Sequence, residues 1–337
     1  MQTSKKLLIR LSSAGDVLLT SPLLKLISER EPESEIHFVV KSQYADLVRL
    51  NPNVGRVHLV QDHSDFHQLE KVRRILLAER FDLTLDLHNN FRSAYLRRGT
   101  APQIRVIGKD IFKRAILVNA KLNLFSSVRS VALKYAQTYD KSISQVARPE
   151  VFLPAESIEK ADEVWRSLGP EPTRSVFLCP GARHFTKRWP ADYWKELAVR
   201  FQGDSRVVLL GGSMDTEVCA EIADGTSVVN LCGMLSLTES TAMLSHASVV
   251  VTNDSYLMHA ANALGRKLVA IFGSSVREFG FFPYGVENRV MEVKGLTCRP
   301  CSHVGLESCP RGHFKCMKDM RPPAVEEAIL SLLKPTL

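Results

Sequence analysis

The sequence lacks several features that would place this chain of 337 residues in a specialised class. It has no apolar run near the roughly 18 residues that a membrane-spanning helix needs. It begins MQTSKKLLIRL, with no secretory h-region or cleavage site, so we expect a cytoplasmic protein. Its seven cysteines are an odd number, which argues against a complete disulfide framework and is typical of a reducing compartment.

Two familiar nucleotide-binding patterns are also missing from the sequence. Without the GxGxxG fingerprint we expect no nicotinamide cofactor, and without GxxxxGK[ST] we expect no Walker-type phosphate loop. No aromatic-rich RNA-binding pattern or helix-turn-helix accompanies the basic residues, which disfavours a nucleic-acid partner.

What the chain does contain is ordinary globular composition, 45% hydrophobic and 24% charged, with an uneven excess of positive charge. The net charge is +8, and residues 97–148 carry eleven Lys or Arg against Asp110 and Asp140. Such a basic segment favours phosphorylated ligands or an anionic membrane surface, the alternative being a solvated face that keeps the protein soluble.

Strand and helix patterns alternate twice along the chain, with a break between Ala147 and Thr173. This alternation predicts parallel sheets with helices on both faces. The fold class is therefore α/β, with two doubly wound Rossmann-like domains facing a cleft. We place the domains at residues 1–160 and 161–337, with the last helix, 322–333, able to pack back on the N-terminal domain.

The stretch 248–274 predicts a strand, a helix and a second strand, with Thr252 to Ser255 at the N-cap of the helix. Free amide groups and the helix dipole attract an anion at such a place. His259 lies four residues after Ser255, so both side chains could face one bound group. The alternative is that Asp254 only caps the helix and His259 only packs.

Three further stretches carry candidate chemistry. Asp16 follows the first strand and could serve as a general base toward a hydroxyl, or only as an N-cap. The loop 179–190 presents Thr186 and Lys187 among three other basic side chains, which suits a diphosphate. The glycines after the strand 206–210 permit close approach of a ligand, and a carboxylate nearby, Asp215 or Glu217, could bind the hydroxyls of a ribose.

The cysteines fall into two groups. Cys298, Cys301, Cys309 and Cys316 could hold zinc, or could form a loop of reduced or partly bridged thiols, because the second pair lacks CxxC spacing. The other three lie in or next to core elements and are interpreted as small hydrophobic residues: Cys179, Cys219 and Cys232.

Taken in order, five stretches resemble the ADP-heptose:lipopolysaccharide heptosyltransferases of glycosyltransferase family 9. They are SSAGDV (12–17), FDLTLDLHNNFRSAYL (81–96), PGARHFTKRWP (180–190), LLGGSMDTE (209–217) and TNDSYLMHAANALGRKLVAIFGSS (252–275), followed by the cysteine loop. The resemblance implies a fold of the GT-B type and an inverting, metal-independent transfer of heptose from ADP-heptose to a lipid A-core acceptor. It implies no cofactor, no bound metal, and an enzyme peripheral to the cytoplasmic face of the inner membrane.

The resemblance also implies roles for single residues. Asp16 matches the base that deprotonates the acceptor hydroxyl. The donor-binding positions are Thr186, Lys187, Glu217, Asp254, Ser255, Tyr256 and His259. The positions expected to bind the phosphorylated acceptor are Ser13, His88, Arg92, Lys113 and Arg114.

Two positions depart from the family pattern: Tyr256 replaces the glycine of D[TS]GxxH, and His88 replaces a glutamine. Tyr256 could crowd the diphosphate or stack on the donor. It motivates one alternative, a family member that uses another nucleotide sugar or envelope acceptor. A second alternative, from a different class, is a non-catalytic member that binds ADP or glycan.

Overall fold

The computed structural model describes residues 4–63 and 65–334 and divides the chain into two compact units. Unit 1 contains the described residues up to Lys109 together with Arg129–Pro154, and unit 2 contains Asp110–Val128 and the residues from Ala155 onward. The boundary predicted at 160/161 thus lies at 154/155, and the chain also enters unit 2 between residues 110 and 128.

The segment 110–128, which the sequence placed in the N-terminal domain, belongs to unit 2. The Lys121 ammonium donates to the Pro300 carbonyl at 2.6 Å, and the Asn123 amide donates to Glu278 at 2.8 Å. Such long-range contacts leave no trace in hydrophobic periodicity, so the sequence analysis misplaced this segment.

The elements in the first part of the chain are β1 (Lys5–Ile9), α1 (Ala14–Leu18), α2 (Ser21–Arg30), β2 (Glu35–Lys41), β3 (Arg56–Val60), α3 (Phe66–Glu79), β4 (Leu83–Asp86), α4 (Phe91–Arg97), β5 (Gln103–Val106), α5 (Ile111–Asn119) and α6 (Val131–Tyr139). Those in the second part are α7 (Ala155–Ser167), β6 (Ser175–Cys179), α8 (Ala191–Arg200), β7 (Arg206–Leu209), α9 (Thr216–Ala223), β8 (Val229–Asn230), α10 (Leu237–Met243), β9 (Val249–Asn253), α11 (Tyr256–Ala263), β10 (Leu268–Phe272), β11 (Asn288–Glu292), α12 (Lys315–Lys318) and α13 (Pro322–Leu333). Short 3-10 turns occur at Ser42–Leu47, Phe185–Lys187, Ser213–Asp215, Leu244–His246 and Arg277–Phe279.

Unit 1 is built on a five-stranded sheet in the order β3-β2-β1-β4-β5, and the pairings are parallel. Its central strand β1 buries Leu7, Leu8 and Ile9 completely, as expected for a strand covered on both faces. The order of the strands reverses between β1 and β4, so the loops after these two strands diverge there.

Unit 2 is built on a six-stranded sheet in the order β11-β10-β9-β6-β7-β8, also paired in parallel. Read from β8, this is the 3-2-1-4-5-6 order of the Rossmann fold, with its reversal between β6 and β9. The prediction of two α/β units with parallel sheets is confirmed.

The last helix, α13, packs against α8 and the strands β9, β10 and β11. Val325, Ile329 and Leu332 join the core of unit 2, whereas the sequence analysis had left this helix able to pack on the N-terminal domain. Across residues 4–63 and 65–334, no helix combines the length and apolar character needed to cross a membrane.

Candidate functional site

The loops that follow β6 and β9 begin side by side, because Cys179 pairs with Thr252 in the parallel register. These strands flank the point where the order of the sheet reverses, which is where open α/β sheets bind ligands. The loop 180–190 leaves β6, and Asp254 and Ser255 leave β9. The sheet thus brings together two stretches that lie more than sixty residues apart in the sequence.

Lys187 and Asp254 form an ion pair across this switch point. The Lys187 ammonium lies 2.7 Å from Asp254 Oδ2, and the two side chains are 15% and 5% exposed. The Ser275 hydroxyl donates to the same carboxylate at 2.8 Å. Burial by itself raises the pKa of Asp254, but Lys187 and the Ser275 hydroxyl outweigh it and leave the pKa below its usual value. The carboxylate is therefore ionised and held in place.

Asn253 ties the β6 loop to the end of β9. Its side chain is fully buried, accepts from the Trp189 amide at 3.2 Å and donates to the Pro180 carbonyl at 2.7 Å. The sequence analysis treated Asn253 only as part of a helix cap. The available signal in the sequence was an asparagine directly after a run of β-branched residues that predicts a buried strand. An amide in such a place needs hydrogen-bond partners.

The sequence predicts an N-cap of α11 within residues 252–255, and in the structure the N-cap is Ser255, whose backbone is extended. The Ser255 hydroxyl lies 3.3 Å from Thr252 Oγ1. Because Asp254 bonds to Lys187 and Ser275, the interpretation of Asp254 as a cap is wrong.

Tyr256 directs its hydroxyl to α10, where Thr241 Oγ1 lies 2.7 Å away. The Thr241 hydroxyl also lies 2.8 Å from the Leu237 carbonyl, which only accepts, so Thr241 donates there and Tyr256 donates to Thr241. Burial raises the pKa of Tyr256, which keeps the phenol protonated as a donor. The residue that departs from the family pattern thus has a structural partner for its polar end.

His259 is 6% exposed and lies one turn into α11. Its ring centroid is 6.1 Å from that of Phe281, and its charge is among those that lower the pKa of Asp254. The Asp254 carboxylate therefore interacts electrostatically with His259 as well as with Lys187.

Thr186 joins the β6 loop to the cysteine-bearing loop. Its hydroxyl accepts from the Leu306 amide at 2.9 Å, and its own amide donates to the Leu306 carbonyl at 3.1 Å. The side chain is 1% exposed, and its hydroxyl hydrogen remains available as a donor. The pairing with Leu306 is a contact that no sequence pattern announced.

Arg299 supports the ion pair from the other side. Its guanidinium donates twice to the Ser275 carbonyl, at 3.0 and 2.7 Å, and lies 2.7 Å from the Glu292 carboxylate. Ser275 in turn donates to Asp254. A buried network therefore runs from Glu292 through Arg299 and Ser275 to Asp254 and Lys187, and the sequence analysis did not single out Arg299.

The Asp215 side chain lies against two glycines, Gly181 after β6 and Gly211 after β7. A Cβ at Gly181 would lie 2.2 Å from Asp215 Oδ2, and one at Gly211 would lie 3.0 Å from Asp215 Cβ. Burial raises the pKa of Asp215, although the Gly212 amide and Arg188 oppose the shift. Glu217, the predicted ribose ligand, is exposed in the first turn of α9. The glycines accommodate Asp215 as well as permitting the approach of a ligand.

Cys219 and Cys232 lie in the hydrophobic core of unit 2, as predicted, but they form a disulfide, which the sequence did not indicate. α9 and the turn after β8 bring them together, a proximity that a separation of 13 residues did not reveal. Cys179 remains a fully buried free thiol, as predicted, and burial raises its pKa.

The other four cysteines are free thiols: Cys298, Cys301, Cys309 and Cys316. Cys298 Sγ lies 3.8 Å from His313 Nε2, and burial together with the neighbouring thiols raises the pKa of Cys316 to about 12. Within residues 4–63 and 65–334, no three His, Cys, Asp or Glu side chains are arranged to hold a metal ion.

In unit 1, Asp16 lies at the corresponding switch point, after β1. It is the third residue of α1 and not its N-cap, which is Ser13. Asp16 Oδ1 lies 2.8 Å from the Arg10 guanidinium and accepts from the Tyr135 hydroxyl at 3.2 Å, while Oδ2 accepts from the Ser13 hydroxyl at 2.9 Å. Burial opposes the charge of Arg10, yet Tyr135 and Asp16 keep its pKa raised, so it stays a cation.

His88 follows β4 on the other side of this switch point. Burial and the nearby Arg10 lower the pKa of His88 to about 4, so the ring is neutral at pH 7. Asp86, fully buried, accepts from the His88 and Asn89 amides at 2.9 and 2.7 Å and pairs with Arg97. Asp86 organises this turn, and the sequence analysis passed over it.

The remaining predicted acceptor residues fall in two places. Ser13 is exposed before α1 and Arg92 is half-buried in α4, both in unit 1. Lys113 and Arg114 are half-buried on α5, in unit 2, so their assignment to the N-terminal domain is wrong.

Comparison with known proteins adds a family to this geometry. The model of glycosyltransferase family 9 (heptosyltransferase) matches residues 69–308. Lipopolysaccharide heptosyltransferase 2 of Escherichia coli K12 is 27% identical over 364 residues, covering 98% of each chain.

Two solved structures share the fold. A glycosyltransferase of family 9 from Veillonella parvula superimposes with a TM-score of 0.84 at 22% identity, covering 99% of this chain and 98% of that one. The ADP-heptose heptosyltransferase II of E. coli gives 0.76 at 24% identity, with 98% of each chain covered. Since the family model spans more than half of the sequence, the chain belongs to glycosyltransferase family 9, the heptosyltransferases.

Proposed function

We propose that this glycosyltransferase transfers heptose from ADP-heptose to the lipid A-core oligosaccharide during lipopolysaccharide biosynthesis. The observation that carries the proposal is the buried Lys187–Asp254 pair at the switch point of a Rossmann-type sheet. The names of the relatives support it, since lipopolysaccharide heptosyltransferase 2 of E. coli matches along nearly the whole chain.

The diphosphate of the donor lies, in this proposal, against Lys187 and the amides at the start of α11. Lys187 supplies the positive charge, and Thr186 donates its remaining hydroxyl hydrogen. Ser255 and His259 line the same helix start, and Tyr256 borders it through its ring because its hydroxyl is bonded to Thr241. Glu217, exposed after the glycines of β7, accepts from the ribose hydroxyls.

Asp16 is the proposed general base. The acceptor hydroxyl oxygen attacks the anomeric carbon, the bond from that carbon to the diphosphate oxygen breaks, and ADP leaves on the opposite face. Asp16 takes the hydroxyl proton, and the configuration of the sugar inverts because the attack comes from the face opposite the leaving diphosphate. Arg10 and Ser13 hold the carboxylate in a fixed orientation for this step.

Lys187 and the helix amides stabilise the negative charge that develops on the departing diphosphate. The proposed reaction therefore proceeds without a metal ion or cofactor. The acceptor contacts proposed are Ser13, His88, Arg92, Lys113 and Arg114. Neutral His88 suits a sugar hydroxyl, whereas the cations suit the phosphates of the acceptor.

Where the acceptor is a membrane lipid, the enzyme must reach the bilayer. We therefore propose a cytoplasmic protein that associates peripherally with the inner membrane through its basic residues. The net +9 of residues 97–148 supports this part of the proposal.

One observation favours a second candidate, transfer of a different sugar. Tyr256 stands at the start of α11 where the family pattern has glycine, so a side chain is present at a position that glycine leaves open. Mass spectrometry of products formed from several nucleotide sugars, each with a truncated core acceptor, decides between the two. Exclusive use of ADP-heptose supports the first candidate, and exclusive use of another donor supports the second.

The same assay with calorimetric titration of ADP tests for a binding protein without activity. ADP binding together with heptose transfer that is lost in Asp16→Asn supports the proposed enzyme. ADP binding without transfer to any acceptor would overturn it.

A further inference from the structure

Residues 110–128 expose an unusual amount of apolar surface. Ile111 and Phe112 at the start of α5 are 71% and 72% exposed, and the turn that follows exposes Leu122, Leu124 and Val128. Single exposed apolar side chains are normal on a protein surface, but five within eighteen residues form a patch. Exposed apolar patches of this kind are typical of surfaces that bind a protein or a membrane.

The geometry of α5 places this apolar surface on its outward face. At 100° per residue, Ile111, Ala115 and Phe112 lie at about 0, 40 and 100° around the helix. Leu117, the buried residue of this helix, lies at about 240°, on the opposite side. The helix therefore rests on the protein through Leu117 and turns isoleucine, alanine and phenylalanine outward.

Positive charge predominates in the sequence around this apolar surface. Residues 109–129 contain five cations, Lys109, Lys113, Arg114, Lys121 and Arg129, against the single acid Asp110, for a net charge of 5 − 1 = +4. The Lys113 ammonium lies 5.9 Å from the ring centroid of Phe125. On the same wheel Arg114 lies at about 300°, next to Ile111, whereas Lys113 lies at about 200°, on the side of Leu117. A cation next to outward-facing apolar side chains matches an anionic lipid surface, which offers headgroup phosphates above acyl chains.

The segment is anchored to unit 2 at its far end. Lys121 donates to the carbonyls of Val118 and Pro300, both at 2.6 Å, and Asn123 donates to Glu278 at 2.8 Å. These bonds hold the patch in a defined orientation, so insertion of its side chains requires little ordering of the chain.

We propose that residues 110–128 dock the protein on an anionic phospholipid bilayer, with Ile111 and Phe112 inserted at the level of the headgroups. The inference rests on the proposed function, for which it names the surface that carries the membrane contact. A second copy of the chain is a poorer occupant, because self-association would bring two segments of like charge together, each with a net charge of 3 − 1 = +2 over residues 110–128.

The test is co-sedimentation of the full-length protein with phosphatidylcholine vesicles, with and without phosphatidylglycerol. We expect binding to the anionic vesicles only, weakened in about 1 M NaCl, where the Debye length is about 3 Å. The double variant Ile111→Ser/Phe112→Ser should bind at least tenfold less, roughly the effect of keeping one large apolar side chain in water.

The matched control is Ile75→Ser/Ile158→Ser, which removes two exposed isoleucines from α3 and α7 and should bind vesicles like the wild type. Equal vesicle binding by the Ile111/Phe112 variant and the wild type overturns the proposal, as does wild-type protein that ignores anionic vesicles. Sedimentation velocity adds a further outcome: a wild-type dimer that the variant dissociates assigns the patch to a second copy instead.

Failure of docking is distinguishable from failure of the proposed function. Transfer to a truncated, water-soluble acceptor should be equal in the Ile111/Phe112 variant and the wild type, and so should ADP affinity by calorimetry. Loss of vesicle binding with unchanged soluble transfer supports docking, whereas absence of soluble transfer in the wild type overturns the enzyme assignment and leaves the vesicle result standing.

Discussion

The Lys187 ammonium and the Asp254 carboxylate, 2.7 Å apart and almost fully buried, join the loops that leave the two strands at the switch point of unit 2. A lysine held this way is oriented before any ligand arrives. Its carboxylate partner also limits the positive charge that it presents to the diphosphate. The ion pair thus fixes the position of the Lys187 ammonium but weakens its electrostatic attraction for the diphosphate.

Lys187→Ala should weaken both donor binding and the fold. Asp254 would remain buried without its cation, which costs about 3–5 kcal/mol in the free energy of unfolding. Urea denaturation and titration with ADP measure the two effects. Lys195→Ala, which breaks a longer and exposed ion pair with Asp224, should cost about 0–1 kcal/mol and leave ADP affinity unchanged. Similar losses in the two variants would contradict the proposed role of the buried pair.

Asp16→Asn should lower kcat by about 10²–10⁴, the usual contribution of a general base, because an amide takes no proton from the acceptor. ADP affinity should stay at the wild-type value, since the proposed donor contacts are in unit 2. The control is Asp46→Asn, which alters an exposed carboxylate paired with Arg49. A wild-type kcat in Asp16→Asn excludes this residue as the base.

Arg299→Met should raise KM for the donor more than it lowers kcat. The methionine fills part of the space but donates nothing to the Ser275 carbonyl, so the hydroxyl that orients Asp254 loses its support. The loss of charged hydrogen bonds should reduce the free energy of unfolding by about 1.5–3 kcal/mol. Arg289→Met, at an exposed arginine of β11, is the control. A donor KM that is unchanged in Arg299→Met would contradict the proposed role of Arg299 in the donor site.

Acid should destabilise unit 1 through His58. Its Nε2 lies 2.9 Å from Nδ1 of His37, whose other nitrogen lies 2.9 Å from the Glu35 carboxylate. Glu35 accepts from His37, so His37 Nδ1 accepts from a neutral His58. Burial, together with His37, lowers the pKa of His58 from 6.5 to about 4.

Because the folded pKa is depressed, the unfolded chain binds more protons between pH 6.5 and about 4, and stability is lost as the pH falls through that window. The shift corresponds to about 3 kcal/mol. Urea denaturation of His58→Gln should show a smaller fall from pH 7 to pH 4 than the wild type. His67→Gln, at an exposed histidine of α3, should follow the wild type. A parallel fall in His58→Gln would refute the assignment.

Tyr256→Phe should cost about 1 kcal/mol of stability, because it removes the donor to Thr241 while Thr241 keeps its bond to Leu237. The KM for the nucleotide sugar should not change, since the hydroxyl faces α10. Thermal unfolding and donor kinetics provide the measurements. A rise in donor KM would show that the hydroxyl serves the donor instead.

Much of the architecture could be predicted because its signals are local. The buried strands β6 and β10 are short apolar runs, the local pattern that predicts a buried strand, and α13 has the predicted bounds 322–333. Periodicity reports one element at a time, however. It missed β11, whose residues Asn288–Glu292 are partly exposed and mixed in character at the edge of the sheet.

Asp16, Lys187 and Asp254 could be singled out from the sequence as positions for chemistry, and the alternative for both carboxylates was an N-cap. That alternative does not hold: the N-cap of α1 is Ser13, with Asp16 as its capping-box partner, and Asp254 bonds to Lys187 and Ser275 instead of capping α11. Both corrections have one cause. A carboxylate near a helix start has several possible partners, and the choice depends on which cations the fold brings near.

The sequence by itself determined the α/β class, the alternation that builds two parallel sheets, the family, and most of the positions where chemistry is expected. Only the tertiary structure decided which of those positions meet. It paired Lys187 with Asp254, bonded Cys219 to Cys232, linked Arg299 to Ser275 and moved residues 110–128 to unit 2. The physical reason is the same throughout: propensity and periodicity act over a few residues, whereas these contacts join residues that only the strand order and loop packing bring within bonding distance.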